Sequence, residues 1–230
     1  MMIPVEGHHL RSVDLGRGTP LLMHDGWVAS WDLWLPLIER FQHRWRCIAY
    51  DHRGTGASTF PPDAISAPAL VDDVFRVLDA HRIERAVIAG ESLGSLVCMQ
   101  AVLRSPARFA GLVLVGSFAR TGPARAEHAA ALRADWPGYI EDFVTACLPE
   151  ADAGPLHRLG QNALLPAGAD AAARMSAAHA ELAPALESIA VPTLVLHGAE
   201  DLSAPLAGAR EVAARIPGAE LVVFDDAGHV

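Results

Sequence analysis

Short apolar segments alternate with amphipathic segments along most of this sequence of 230 residues, and this alternation limits the fold more than any other feature. Residues 86–89 and 111–115, for example, are almost continuously apolar, whereas apolar side chains in 71–78 recur every three or four positions. A short, continuously apolar strand is typical of a sheet buried on both faces, and the intervening periodicity is typical of helices that cover it. The sequence therefore predicts an α/β fold with a mostly parallel central sheet flanked by helices.

The predicted elements follow one another in a regular order. Strands are predicted over 8–15, 20–23, 47–50, 86–89, 111–115, 193–196 and 220–224, and helices over 33–41, 71–78, 93–104 and 205–216. The first strand runs into a turn rich in Gly at 16–20, so we predict that it lies at an edge of the sheet. The connections between parallel strands are expected to be right-handed crossovers.

The segment 122–188 interrupts this alternation. It is rich in Ala, places aromatic residues such as Trp136 and Tyr139 at helical spacing, and contains no convincing strand. We predict a small helical lid inserted after the strand at 111–115, over a site at the carboxyl edge of the sheet. The alternative is that these helices only complete the core. The predicted division is thus a core of 1–121 and 189–230 and a cap of 122–188.

Charge and composition exclude several classes of function. The formal net charge is −9, which disfavours binding to nucleic acids and to anionic membranes. The sequence contains no Lys, which excludes Schiff-base chemistry, pyridoxal phosphate bound through an internal amine, and the P-loop. Because 51% of the residues are hydrophobic and no apolar stretch reaches the roughly 20 residues of a membrane span, we expect a compact, soluble protein.

The three cysteines, Cys47, Cys98 and Cys147, lie far apart and have no pair with the spacing of a zinc or redox site. We expect them to be buried, reduced thiols, as in a cytoplasmic protein. The first residues do not combine a basic segment with an apolar one, so we predict no secretory signal.

One serine stands where the chain passes from a predicted strand to a predicted helix, in the segment Gly90-Glu91-Ser92-Leu93-Gly94. A sharp strand-to-helix turn exposes a hydroxyl only when small residues flank it, which is the mechanical reason for the two glycines. The helix amino end also favours negative charge that develops near the Leu93 N–H. Ser92 is therefore the candidate nucleophile, and the alternative is a glycine-rich turn with an inert serine.

A serine nucleophile needs a base and a carboxylate that orients the base. Asp201 follows the predicted strand 193–196 in a loop, and His229 follows the last predicted strand. The chain order Ser, Asp, His is the order expected for a nucleophile on such a sheet. The alternatives are Glu200 for the acid, and His24 or His197, which also end strands, for the base.

These motifs together resemble the α/β-hydrolase fold proteins of the esterase, lactonase and haloperoxidase-like group. The further matches are His24-Asp25-Gly26-Trp27 after a strand, the loop Asp51-His52-Arg53-Gly54-Thr55-Gly56-Ala57-Ser58, and His197-Gly198-x-x-Asp201-x-x-x-Pro205. The resemblance covers nearly all of the chain outside the lid and implies an α/β-hydrolase fold with its lid after the sixth strand. It also implies an oxyanion hole made by the backbone N–H of Leu93 and that of Trp27 or Gly26.

Two features depart from the family pattern. Asp25 stands between His24 and Gly26, so the resemblance leaves Trp27 and Gly26 as alternatives for the second oxyanion donor. Members of the family usually continue into a final helix beside the His loop, whereas this sequence ends at Val230. On that basis we expect a loosely held His229 loop and low activity.

The loop 51–58 is expected to be structural, with its glycines and Arg53 bracing the site. The alternative is that Arg53 binds an anionic group of a ligand.

The function predicted is that of a serine hydrolase that needs no metal and no organic cofactor and cleaves a small ester, thioester or lactone. The side chains expected to form an apolar substrate pocket are Trp27, Trp31, Phe118, Trp136 and Tyr139. The alternatives are hydrolysis of a C–C bond, perhydrolysis with the same triad, or a ligand-binding protein of the same fold. We expect a small molecule as the partner and leave a homodimer open.

Overall fold

The computed structural model describes residues 1–122, 126–150 and 152–229, which form a sheet of eight strands covered by helices. The strands are β1 Met2–Val5, β2 His8–Gly16, β3 Thr19–His24, β4 Trp45–Tyr50, β5 Ala86–Glu91, β6 Phe109–Val115, β7 Thr193–Gly198 and β8 Glu220–Phe224. Their order across the sheet is β1-β2-β4-β3-β5-β6-β7-β8. The pairs β1–β2 and β2–β4 are antiparallel, and all later pairs are parallel. The predicted fold class is confirmed.

The helices occupy the segments between the strands. They are α1 Leu35–Phe41, α2 Ala67–Ala80, α3 Gly94–Arg104, α4 Ala126–Ala134, α5 Trp136–Cys147, α6 Gly154–Leu164, α7 Ala169–Ala180 and α8 Leu206–Arg215. Local sequence sets several of their ends. Ser66 caps α2 by accepting a hydrogen bond from the N–H of Ala69. Helix α3 ends at Arg104, and its C-cap residue Ser105 directly precedes a proline. In the part of the chain that the structure describes, no helix is both long and apolar enough to cross a bilayer.

The parallel strands are apolar on both faces because each face has its own core. Leu22 and Ile88 belong to the larger apolar cluster, to which α2, α3 and α8 contribute. Met23 and Ala89, one position further along the same strands, belong to a smaller cluster that includes Ile38 of α1. Successive side chains of a strand point to opposite faces, so helices cover both sides of the sheet.

One sequence-based expectation about the sheet needs correction. Strand β2 does not lie at an edge, because it is paired with β1 on one side and β4 on the other. Strand β1 was not predicted, since it has only four residues and a weak pattern.

Four helices, α4 to α7, lie between β6 and β7, as predicted for the interruption of the alternation. Over 126–150 and 152–188 the structure contains helices, turns and loops but no strand. The predicted cap boundary at 122 is followed by 123–125, which lie outside the described residues, as does 151. We call 122–188 the helical insertion below.

Strands β3, β5, β6, β7 and β8 are parallel neighbours, so their carboxyl ends share one edge of the sheet. The residues that follow these strands therefore converge there, which is where ligand sites form in such sheets.

Candidate active site

Ser92 sits at the sharp turn between β5 and α3 in a conformation that L residues seldom adopt. Its φ is 49°, a left-handed value that costs about 1–2 kcal/mol for a residue with a Cβ. The flanking glycines allow the turn: a Cβ on Gly90 would lie 2.7 Å from Cys98 Sγ, and one on Gly94 would collide with the carbonyl of Asp25. The two glycines of the motif are thus required by close packing, as the spacing predicted.

A continuous hydrogen-bonded relay links three of the predicted side chains. Ser92 Oγ lies 2.8 Å from His229 Nε2, and His229 Nδ1 lies 2.6 Å from Asp201 Oδ2. With the carboxylate on Nδ1, the imidazole carries its proton there and presents Nε2 as an acceptor for the Ser92 hydroxyl proton. The structure therefore brings together three residues that are distant along the chain: Asp201 lies 28 residues before His229, and Ser92 lies 137 residues before it.

Asp201 is held as the orienting carboxylate by donors on both of its oxygens. Oδ1 accepts hydrogen bonds from the N–H groups of Ser203 at 2.9 Å and Ala204 at 2.7 Å. Burial alone would raise the pKa of Asp201, but hydrogen bonds from His197 and His229 outweigh it and hold the pKa well below the usual value. The alternative acid, Glu200, is exposed to solvent.

The two alternative histidines are engaged elsewhere. His24 Nδ1 pairs with the Tyr50 hydroxyl at 2.7 Å, and the ring is fully buried. His197 Nε2 donates to the carbonyl of Ala204 at 2.7 Å and lies 3.2 Å from Asp201 Oδ2, so it supports the carboxylate and does not reach Ser92 through this nitrogen.

The His229 loop is anchored by a backbone carbonyl and a side-chain carboxylate of the helical insertion, neither of which is recognisable from the sequence. The N–H of His229 donates to the carbonyl of Cys147 at 2.8 Å, and that of Gly228 donates to Glu150 Oε1 at 2.6 Å. Gly116, after β6, lets the imidazole approach, since a Cβ there would lie 2.9 Å from His229 Cε1. His229 is 4% exposed, so the expectation of a loosely held loop is not what the structure shows.

Backbone N–H groups near Ser92 distinguish the two alternatives for the oxyanion donor. The N–H of Gly26 donates to Glu91 Oε2 at 2.9 Å and is therefore occupied. The N–H groups of Trp27 and Leu93 have no acceptor among the residues that the structure describes. The N–H groups of Trp27 and Leu93 are thus the pair that remains available to a ligand oxygen. His52 Nε2 donates to the carbonyl of Gly26 at 3.1 Å and so helps to fix the loop that carries Gly26 and Trp27.

The Trp27 side chain joins this loop to the helical insertion. Its Nε1–H donates to the Ala172 carbonyl at 3.1 Å and to Ser176 Oγ at 2.9 Å, both in α7. Its ring packs edge-on against Trp136 at 5.9 Å and Tyr139 at 6.0 Å between centroids. The insertion therefore fixes both the Trp27 loop and the His229 loop.

An apolar cavity of about 450 Å³ opens above Ser92 and His229. On the side of the insertion it is lined by Phe143, Val144, Cys147, Leu148, Leu156, Leu159, Gly160 and Leu164, and on the side of the core by residues that include Val28, Leu33, Trp34, Leu37 and Phe224. Trp27 also lines it, as predicted from the sequence.

Four aromatic residues predicted in the pocket do not line this cavity. Trp136 and Tyr139 turn towards Trp27, as described above, and so contribute to packing of the insertion. The Trp31 side chain packs on the smaller core cluster, and the backbone N–H of Trp31 donates to Asp51 Oδ1 at 3.0 Å. Phe118 packs on the larger core cluster next to Gly208 of α8. Trp136 and Tyr139 lie on α5, as the helical spacing predicted, but it is Phe143, one to two turns further along the same stripe of α5, that lines the cavity.

Arg53 has a bracing position, as expected for the loop 51–58. It is 1% exposed, donates to both carboxylate oxygens of Asp73 at 2.7 and 2.8 Å, and donates to the carbonyl of Ala64. Asp51 in the same loop accepts from the N–H of Ala57 at 2.8 Å. Arg53 does not line the cavity, which argues against the alternative of an anion site.

Comparison with known proteins fits this arrangement. A family model described as the alpha/beta hydrolase fold matches residues 19–154, and a second model, described as TAP-like protein, matches residues 168–230. The first match alone spans more than half of the chain. The chain belongs to the α/β-hydrolase family.

Individual members of the α/β-hydrolase family resemble the chain over most of their length. The 3-oxoadipate enol-lactonase 2 of Acinetobacter baylyi is 30% identical over 86% of this chain and 77% of its own. A relative from Caulobacter sp. (strain K31), provisionally named a carbamate hydrolase, RutD, is 28% identical over 91% of this chain and 83% of its own. A solved hydrolase from Pseudomonas aeruginosa superposes with a TM-score of 0.91 at 28% identity, covering all of this chain and 91% of that one. The prediction of a hydrolase of this family is confirmed.

The site of this α/β-hydrolase includes one residue whose role the sequence did not indicate. Glu91, between the first glycine and the serine of the motif, accepts from Gly26 and places Oε1 3.4 Å from His229 Nε2. Glu91 is part of the motif around Ser92, but the spacing that identifies this motif concerns only its glycines and its serine. Within the described residues, no group of three or more His, Cys, Asp or Glu side chains is arranged to hold a metal ion.

The pH dependence of activity should follow His229. Burial lowers the pKa of His229, but the Asp201 hydrogen bond and the charges of Glu91 and Asp201 outweigh it and raise the pKa above 6.5. Because only the neutral ring accepts the Ser92 proton, kcat/KM should rise with pH through an apparent pKa above 6.5. Initial rates on a neutral ester from pH 5 to 9 check this. A kcat/KM that rises through an apparent pKa below 6.5 would contradict the assignment of His229 as the base.

Two substitutions in the insertion should separate packing from pocket shape. Trp136→Ala removes a half-buried ring and its Nε1–H bond to the Leu165 carbonyl, so we expect a loss of about 2 kcal/mol in the free energy of unfolding and an unchanged acyl-chain preference.

Leu159→Ala enlarges the cavity and should shift kcat/KM towards longer acyl chains by about tenfold. Denaturant unfolding and rates on esters of two to ten carbons test both. The reverse pattern would mean that Trp136 shapes the pocket.

Proposed function

We propose that this protein is a serine hydrolase that cleaves a small, apolar ester, thioester or lactone. The observation that carries the proposal is the relay from Ser92 through His229 to Asp201 at the floor of an apolar cavity. Each partner has the position that its role in acyl transfer requires, with hydrogen-bond distances of 2.8 and 2.6 Å.

The proposed reaction begins when Ser92 Oγ attacks the carbonyl carbon and its proton passes to His229 Nε2. The carbonyl oxygen becomes an oxyanion that accepts hydrogen bonds from the N–H groups of Trp27 and Leu93. The carbon–oxygen bond to the leaving group then breaks, and His229 returns the proton to the leaving oxygen. Water attacks the acyl-enzyme by the same sequence, which releases the carboxylic acid and restores the Ser92 hydroxyl.

The energetic contributions follow from the geometry. Each oxyanion donor in a dry site lowers the barrier by about 3 kcal/mol. Asp201 stabilises the imidazolium that forms during proton transfer, and its pKa, held well below the usual value, keeps it ionised throughout. The strained backbone at Ser92 holds the hydroxyl towards His229 before the substrate arrives.

The cavity supports a substrate with a small apolar acyl group. Its volume of about 450 Å³ is at the small end of the range for ligand pockets, and most of its lining is aliphatic or aromatic. The two named relatives support a carbonyl substrate, because an enol-lactone is a cyclic ester and a carbamate also has an acyl carbon bound to a heteroatom.

We also propose that the helical insertion serves as a lid. Helices α5 and α6 supply the lining of the cavity opposite the core, and Trp27 and His229 are both bonded to the insertion. Displacement of the insertion would therefore disturb the oxyanion loop and the base together.

The test is a panel of p-nitrophenyl esters, small lactones and thioesters, with a diketone that only a C–C hydrolase would cleave. We expect turnover of p-nitrophenyl butyrate and at least one lactone, and none of the diketone. Turnover of the diketone alone would favour C–C bond hydrolysis. Absence of turnover on the whole panel, with a folded protein, would favour a ligand-binding role and contradict the proposal.

A further inference from the structure

Glu91 is a carboxyl group at the reaction centre that the proposed mechanism does not use. Burial raises the pKa of Glu91, although the charge of His229 and the hydrogen bond from the Gly26 N–H oppose this shift. The Glu91 side chain is 13% exposed and lines the cavity. Oε2 accepts the Gly26 N–H at 2.9 Å, and Oε1 lies 3.4 Å from His229 Nε2. The Gly26 backbone is packed so closely here that a Cβ on it would come 2.9 Å from Ser92 Cβ. The carboxyl group is thus fixed within a few ångströms of the nucleophile.

Among the described residues that line the cavity, no arginine or lysine offsets the charge of this carboxyl group for an incoming substrate. The described residues that line the cavity include Asp25 and Glu91 but no arginine, and the chain has no lysine. Burial first, and then the neighbouring charge of Glu91, raise the pKa of Asp25, which favours its neutral form. A carboxyl group carries no positive charge in either state. His229 is already paired with Asp201. An anionic group on a substrate would therefore enter an apolar cavity beside a carboxylate, with no arginine or lysine among the described lining residues to pair with it.

We propose that Glu91 is a specificity-determining residue that restricts this site to acyl groups without a negative charge. The inference rests on the proposed function, because it concerns the acyl group that Ser92 receives. Two like charges about 6–8 Å apart in a partly buried site repel by an energy that corresponds to about 50-fold in an equilibrium constant. Discrimination of that size would exclude half-esters of dicarboxylic acids while neutral acyl groups of the same shape are accepted.

The same carboxylate should promote product release. When water cleaves the acyl-enzyme, the bond between the acyl carbon and Ser92 Oγ breaks, and Oγ regains its proton from His229. The carboxylic acid that leaves then loses its proton to solvent and becomes an anion beside Glu91. Repulsion between the two carboxylates weakens product binding, so product inhibition should be slight.

The first experiment compares two esters of one shape and different charge. The mono-p-nitrophenyl ester of adipate carries a carboxylate where p-nitrophenyl 6-methylheptanoate carries an isopropyl group. We expect the ratio of kcat/KM, neutral over anionic, to fall by about 50-fold in Glu91→Gln, whose amide oxygen still accepts the Gly26 N–H. Glu200→Gln makes the same change in net charge at an exposed position outside the cavity and should leave the ratio unchanged.

A binding measurement gives a readout that does not depend on turnover. Calorimetry with hexanoate and hexanamide on Ser92→Ala, with and without Glu91→Gln, should show hexanoate binding about 50-fold tighter in the double variant and hexanamide binding unchanged. Glu91→Met has a neutral side chain of similar length and should behave like Glu91→Gln. It serves as the second variant if the Glu91→Gln protein does not fold.

The outcomes separate this inference from the proposed function. If the neutral ester is not cleaved but hexanoate gains affinity on loss of the Glu91 charge, the proposed function fails and the charge discrimination stands. If the neutral ester is cleaved and the ratio is the same in all variants, the inference on Glu91 is overturned while the hydrolase remains. Failure of both hexanoate and hexanamide to bind any variant would overturn the inference as well.

Discussion

Replacement of Ser92 by alanine is expected to lower kcat on p-nitrophenyl butyrate by about 10⁶, which leaves only the acceleration of about 10³–10⁴ over water that the oxyanion hole and substrate binding provide. The loss follows from the position of the hydroxyl, which is the group 2.8 Å from His229 Nε2 at the floor of the cavity. The Cβ stays in place, so the strained turn and the cavity above it should be preserved. Steady-state rates measure the effect, and the midpoint of thermal unfolding verifies the fold.

Ser203→Ala is the matched control for that result. Ser203 lies in the Asp201 loop and its hydroxyl contacts Cys147 Sγ, but it is not part of the relay. Its replacement should change kcat by less than about threefold. Activity that persists in Ser92→Ala and disappears in Ser203→Ala would show that the nucleophile is misassigned.

Replacement of Asp201 by asparagine is expected to lower kcat by about 10⁴ with little change in the fold. The N–H groups of Ser203 and Ala204 hold Oδ1, so the amide oxygen should take that place and the amide nitrogen should face His229. An N–H group there cannot accept the proton of Nδ1, and the ring is driven to the tautomer that donates from Nε2. Such a ring cannot act as the base towards Ser92.

Glu200→Gln is the control for the acid. Glu200 is adjacent in sequence and exposed, and its replacement should change kcat by less than about twofold. Single-turnover rates of both variants, measured at a pH above the His229 limb, make the comparison direct. Equal losses in the two variants would mean that the acid is shared or misassigned.

Much of the fold was predictable because local patterns of apolar residues determine where its strands and helices lie. Continuous apolar runs gave the parallel strands, and helical periodicity gave the helices that cover them. The glycines around Ser92 indicated the sharp turn for a mechanical reason, since both are required by close contacts in the folded chain. The positions of Asp201 and His229 followed from a rule of topology, because residues after parallel strands meet at one edge.

The cavity lining could not be read in the same way. The aromatic residues of the insertion were correctly placed on helices, but the position of each along its helix decides whether it reaches the cavity. Trp136, Tyr139 and Phe143 lie on one stripe of α5 and all pack against the Trp27 ring, yet of these three only Phe143 also lines the cavity. How far along α5 the cavity extends depends on how α4 to α7 pack together, and periodicity carries no information on that.

Backbone anchors are invisible in a sequence for a simpler reason. The Cys147 carbonyl holds the His229 N–H, and any residue could supply that oxygen. Gly116 leaves room for the imidazole, but its role needs the position of β6 relative to β8. Glu91 stands within the motif, but its contacts with Gly26 and His229 are visible only in the folded chain.

Covalent labelling tests most directly whether Ser92 is the activated nucleophile of an acyl-transfer relay, as we propose. Intact-mass spectrometry after treatment with a fluorophosphonate should show one adduct per chain, and peptide mapping should place it on Ser92. The Ser92→Ala protein should remain unlabelled, and His229→Ala should label far more slowly, because the hydroxyl then has no base. An adduct on another residue, or stoichiometric labelling of the Ser92→Ala protein, would contradict the account.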